Sequence, residues 1–133
     1  MFSISYTIDE SWLDPIHKHV HHAKCLELLE MARIAYLESI GCSYSVMLER
    51  GDALVIVSVD ARYKRELKRG VVQVRCSQIA VENRIVRIRQ DIQNVREKTV
   101  MEATIELTFM NLETRRSMVP PNDFLRAVSH GAG

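Results

Sequence analysis

The chain has 133 residues, 47% of them hydrophobic and 26% charged, with a formal net charge of +1. That length supports a single domain over residues 1–133, with a real core and little room for a second. The near-neutral balance supplies no global field for nucleic acid or an anionic membrane, and no apolar run approaches the roughly 18–20 residues that span a bilayer.

Residues 2–7 alternate loosely, with Phe2, Ile4 and Tyr6 against Ser3, Ser5 and Thr7, which predicts a first strand. Residues 9–20 are polar and irregular, and Pro15 interrupts them. A long helix is predicted from His21 to Ile40: Cys25, Leu28, Leu29, Ala32, Ala35, Tyr36 and Ile40 recur at helical spacing. Leu26, Met31, Ile34 and Leu37 widen its apolar surface, so the helix is expected to be enclosed on more than one side. Gly41 stands where a helix-terminating glycine belongs.

The period then changes to two. Four alternating segments follow, around Val55 to Lys64, Val72 to Ser77, Val86 to Gln93 and Met101 to Phe109. Their short connections predict antiparallel pairing between consecutive strands. Pro120-Pro121 ends the sheet, and Asn122 is placed to cap a short helix through Val128. The order predicts an α+β protein: an antiparallel sheet of about five strands wrapped around one long central helix, with a short C-terminal helix. An open edge strand in such a sheet commonly pairs with a second copy, so a homodimer or homotetramer is expected.

The segment of densest chemistry runs from Asp14 to Ala23, where a carboxylate and four histidines (His17, His19, His21, His22) precede the helix. A helix start offers unpaired backbone N–H groups and a positive dipole end, a natural place to hold a developing oxyanion. A carboxylate beside it can attack a carbonyl or activate a water. The simpler reading of Asp14-Pro15 is turn chemistry, with the side chain bonding its own loop. Asp9 and Glu10 are weaker substitutes for Asp14.

The element order resembles that of the hotdog-fold acyl-CoA thioesterases. So do His19-Val20-His21-His22-Ala23, Leu29-Glu30-Met31-Ala32-Arg33 and Ala61-Arg62-Tyr63-Lys64-Arg65-Glu66-Leu67. The closest group is the 4-hydroxybenzoyl-CoA thioesterase-like family, and the resemblance covers nearly the whole chain. It implies a thioester hydrolase acting on an acyl-CoA or an acyl-carrier protein, with no cofactor beyond the substrate's CoA. The implied catalytic carboxylate is Asp14, assisted by His22 and His19, with the amides of His22, Ala23 and Lys24 polarising the thioester carbonyl. Arg62, Lys64, Arg65, Lys68 and Arg69 are the implied ligands of the CoA phosphates. Three positions depart from the family pattern: Pro15 stands where the acid usually sits, Lys18 replaces a glycine, and Cys25 replaces a tyrosine.

Two alternatives accompany this reading. One is a hotdog protein that binds an acyl thioester without cleaving it. The other is a histidine-metal hydrolase, since His-x-His-x-His-His is similar to the zinc-binding run of metallo-β-lactamase-fold enzymes. That fold needs further downstream ligands, and the only other histidine is His130, so no metal is expected. Cys25 reads as a small buried hydrophobe rather than a reactive thiol. Cys25, Cys42 and Cys76 lack paired spacing, and the first residues lack a signal peptide's basic and apolar regions; both point to a cytoplasmic protein.

Overall fold

The structure is a computed structural model that describes residues 1–131. Strand β1 spans Phe2–Ile8 and leads through a single 3₁₀ turn, Glu10–Trp12, into the irregular segment. Helix α1 spans His22–Ser39, and Gly41 follows it at φ 87°, a conformation that costs glycine nothing. Then come α2 (Tyr44–Glu49), β2 (Asp52–Tyr63), β3 (Gly70–Glu82), β4 (Ile85–Gln93), β5 (Thr99–Asn111), β6 (Arg116–Met118) and α3 (Asn122–Gly131). The two short elements, α2 and β6, were not predicted. Helix α2 is capped by Ser43, whose side chain accepts from the Val46 amide at 3.4 Å, and β6 adds three residues beside the end of β5.

The sheet is antiparallel with the order β1-β3-β4-β5-β2, and β6 pairs with β5. Consecutive pairing holds for β3 with β4 and β4 with β5, but β2 and β3 are not neighbours. Strand β2 instead lies beside β5, so the chain crosses the sheet between β2 and β3. Register shifts at Ile56/Ser58 and Cys76/Gln78 mark bulges. An extra residue on one strand increases its bend and twist, which curls the sheet around the helix.

The inner face of the sheet follows the predicted alternation. Val72, Val74 and Cys76 of β3, Val86, Ile88 and Ile92 of β4, and Met101 through Phe109 at every second position of β5 are all buried. They meet Leu28, Leu29, Ala32, Tyr36 and Leu37 of α1, and this apolar contact is the main source of stability. On the outer face, directly opposed residues form ion pairs: Arg75 with Asp91 at 2.7 Å and Arg87 with Glu106 at 2.7 Å.

Two expectations are corrected by the packing. Leu26 and Met31 of α1 are exposed, so within one chain the helix is covered on one side only. Ile56, Val57, Val59 and Tyr63 of β2 are exposed as well, because β2 lies at the far edge of the sheet from β1, while α1 packs on β3, β1 and β4.

Candidate active site

The segment before α1 folds back on itself as a small hairpin. Leu13 and Val20 form an isolated bridge, the Asp14 amide donates to the His19 carbonyl at 2.9 Å, and the Lys18 amide donates to the Asp14 carbonyl at 2.9 Å. Pro15 follows Asp14 in the turn, where its fixed φ suits the chain direction. The Val20 amide donates to the Leu67 carbonyl at 2.6 Å, which pins the hairpin to the segment after β2.

Lys18 closes this turn at φ 60°. Here a side chain crowds the following carbonyl, which explains why a glycine suits the position better. Lys18→Gly is expected to raise stability by up to about 1 kcal/mol, the relief of strain being partly offset by the freedom glycine adds to the unfolded chain. Urea denaturation checks the sign; a loss of stability shows that the lysine stem contributes more by packing than its backbone costs.

Asp14 Oδ1 accepts from the amides of Ile16 and His17, each at 2.8 Å, and lies 3.3 Å from His17 Nδ1. These amide bonds, led by that of His17, hold the Asp14 carboxyl below the usual aspartate pKa and keep it ionised. Nothing among the described residues bonds Oδ2. Asp14 therefore performs the turn role with one oxygen and leaves the other unengaged within the described residues.

The helix start is occupied unevenly. His21 is the N-cap residue of α1, and its Nδ1 accepts from the Ala23 amide at 3.3 Å. The Lys24 amide donates to the His21 carbonyl at 2.9 Å. Of the three amides expected to hold an oxyanion, only that of His22 has no partner among the described residues. The Lys24 N–H is spent inside the first helical turn. Tyr63, at the end of β2, donates its hydroxyl to the His22 carbonyl at 3.2 Å and sets its ring edge-on to the His22 imidazole.

These groups surround a cavity of about 480 Å³, walled by Asp14, His19, His22, Cys25, Tyr63 and Arg65 among others. His19 Nδ1 is buried in the wall without a hydrogen bond, 3.9 Å from Glu66 Oε1. Burial pushes the Cys25 thiol up to about 11, so it is a neutral wall and not a nucleophile near pH 7. Among the described residues, no three of His, Cys, Asp and Glu gather into a group that can hold a metal ion. His21 caps the helix, His22 stacks against it with ring centres 4.3 Å apart, and His17 turns towards Asp14.

Beside this cavity lies a second, of about 520 Å³, which shares Arg65 and Glu66 with the first. Lys68, Arg69, Asn94 and Arg96 complete its polar wall. Arg65 is held by a bond from Nη1 to the Thr99 carbonyl at 2.7 Å, and Arg69 pairs with Glu10 at 2.9 Å. Four of the five basic residues expected to act together are thus distributed over two adjoining cavities: Lys64 walls the first, Arg65 both, Lys68 and Arg69 the second. Arg62 stands apart from them. It lines a separate shallow depression of about 60 Å³ with Asp60, Arg89 and Glu102, because alternation along β2 turns it away from Tyr63.

Tyr63, Glu66, Asn94 and Arg96 line the two cavities and are not among the predicted site residues. Tyr63 reads in the sequence as an alternating strand residue and as part of the resembling segment Ala61 to Leu67, while Asn94 and Arg96 are brought in by the β4–β5 connection, which no local pattern announces. Asp9 and Glu10 take other roles: Asp9 caps the 3₁₀ turn and Glu10 holds Arg69.

Residues 10–128 match the family model of the thioesterase-like superfamily, and the chain belongs to that superfamily. No curated protein matches the sequence. Among solved structures, the chain is similar to a hypothetical protein from Staphylococcus aureus determined in complex with CoA, at 18% identity and a TM-score of 0.89, covering 98% of this chain and 83% of that one. It is similar to a 1,4-dihydroxy-2-naphthoyl-CoA thioesterase from Synechocystis (16% identity, TM-score 0.86, 96% and 95% covered) and to a probable thioesterase from Escherichia coli (20%, 0.80, 100% of each). These likenesses establish the hotdog fold that the family resemblance implied.

Proposed function

We propose that this protein hydrolyses an acyl thioester, with CoA or a carrier protein as the thiol. The observation that carries the reading is the meeting of two features in one cavity, an ionised carboxylate with a free oxygen and a helix start with an unpartnered amide, with a basic cavity adjoining it. In this reading Asp14 Oδ2 attacks the thioester carbonyl or draws a proton from the attacking water. The His22 amide takes the developing oxyanion, a contact worth a few kcal/mol in comparable sites. The Ala23 amide joins it if the His21 imidazole swings away. His19 and Glu66 form the polar wall that orients the substrate. The leaving thiolate is stable enough to depart without a strong acid, so the reaction needs no cofactor beyond the CoA. Lys68, Arg69 and Arg96, with Arg65 at the junction, receive the CoA phosphates.

A panel of acyl-CoAs, followed by release of free thiol, tests the reading, and cleavage of at least one member is the expected result. If every member binds and none is cleaved, the protein is an acyl-thioester-binding module. One observation favours that second reading: Asp14 Oδ1 and the Ala23 and Lys24 amides are already engaged within the protein.

The partner in this reading is a second copy joined through β2. An unpaired edge carrying Ile56, Val57, Val59 and Tyr63 at its surface is a template for strand addition. Sedimentation is expected to give a dimer or a tetramer, and Val57→Lys to shift it towards monomer, since a lysine on an edge strand opposes pairing. A wild-type protein that sediments as a monomer removes this assembly. Three buried, free cysteines suit the reducing cytoplasm, the compartment proposed here. No helix among the described residues is long and apolar enough to cross a membrane.

A further inference from the structure

The central helix carries a charge that the core does not neutralise. Arg33 lies on the buried face of α1 and is only 6% exposed. Among the described residues its guanidinium makes one hydrogen bond, from Nη1 to Gln90 Oε1 at 3.0 Å. Gln90, 3% exposed, is neutral, and its own amide is turned onto the Leu29 carbonyl at 2.9 Å. A guanidinium has five N–H donors, so most of this one's capacity is unused. Burial lowers the Arg33 pKa, and Glu30, one turn earlier, opposes that shift without reaching ion-pair distance. An unpaired buried charge is costly, and folds retain one where a partner of opposite sign arrives.

Arg33 forms part of the wall of a cavity of about 260 Å³ between α1, α2 and the start of β2. Ile34, Leu37, Leu54, Ile56 and Leu107 give it apolar sides, and the exposed Glu30 also lines it. Tyr44 also lines it, but its hydroxyl donates to the Leu54 carbonyl at 3.2 Å. The cavity shares no residue with the one around Asp14. Its volume falls below the roughly 300–1,000 Å³ of pockets that take drug-sized molecules, so its ligand is small.

We propose that this cavity binds a small carboxylate with an apolar body, a single ring or a short chain, whose two oxygens pair with the Arg33 guanidinium. Planar, bidentate recognition is what arginine offers a carboxylate, and the apolar sides fit the body behind it. Acids of this class are also what hydrolysis of a small acyl thioester releases, although the binding does not depend on that activity.

The test compares benzoate with its neutral counterpart benzamide on the full chain, read by backbone amide NMR shifts and the thermal midpoint. Benzoate is expected to move the amides of Ile34, Leu54 and Ile56 and to raise the midpoint, and benzamide to bind at least tenfold more weakly. Arg33→Met is expected to abolish the benzoate response while retaining the wild-type spectrum away from the cavity. Equal binding of the two compounds, shifts confined to Asp14 through Cys25, or benzoate binding retained in Arg33→Met each overturns the proposal. So does a dimer that ignores benzoate. If Arg33→Met does not fold, the wild-type comparison of benzoate with benzamide decides alone.

Discussion

Asp14→Asn is expected to lower kcat/KM for any cleaved acyl-CoA by about 100-fold or more, while leaving the fold intact. Asparagine keeps an oxygen at the position that accepts from the Ile16 and His17 amides, so the turn survives. What it removes is the negative charge, and with it the nucleophile or base. The substitution therefore separates the two roles that Asp14 combines. An Asp14→Asn protein that turns over like wild type assigns the residue to the turn alone. The pH profile supplies an independent check. The loop amides hold the Asp14 pKa below its unfolded value, so this carboxylate stabilises the fold above the unfolded pKa, and that contribution is lost as pH falls through the lower folded value. The same ionisation governs the proposed chemistry. The acid limb that Asp14 adds to kcat/KM is expected below about pH 3.9, with none from it nearer neutrality. A carboxylate limb well above that value points to a different catalytic group.

Phe109→Ala is expected to remove about 3–5 kcal/mol of stability. Phe109 is fully buried at the end of β5 and meets Phe124 of α3 edge-to-face, ring centres 4.9 Å apart. Truncation leaves a cavity and strips α3 of its aromatic anchor. A small domain has only about 5–15 kcal/mol in total, so most of the margin goes. Urea denaturation reads the loss, and the shape of the transition reports its extent. A single shifted transition means that α3 and the sheet unfold together, and a separate early phase means that α3 detaches alone. An effect under about 1 kcal/mol shows that neighbouring side chains collapse into the space.

Residues with a strong local signal were legible at once. The helix boundary at Gly41 and the alternation of β5 each depend on near neighbours in the chain, and each stands where expected. Gln90 is instructive because it breaks the apolar row of β4, and its reason lies on another element, in Arg33 and Leu29. Arg62 lies close to Lys64 and Arg65 in sequence, yet it lines the depression with Asp60, Arg89 and Glu102 and not the cavity around Asp14. Asn94 and Arg96 reach the basic cavity only because β4 and β5 turn back beside the segment after β2.

By itself the sequence determined the kind of fold and the stretch that carries the chemistry, because periodicity and helix-start signals are local and need no distant partner. Only the tertiary structure decided which groups remain available. Folding commits one oxygen of Asp14 to a turn and the Lys24 amide to the helix, and it leaves the His22 amide and the Arg33 guanidinium with unused capacity. Hydrogen-bonding capacity is finite, and how each group spends it is settled by what the fold brings within reach.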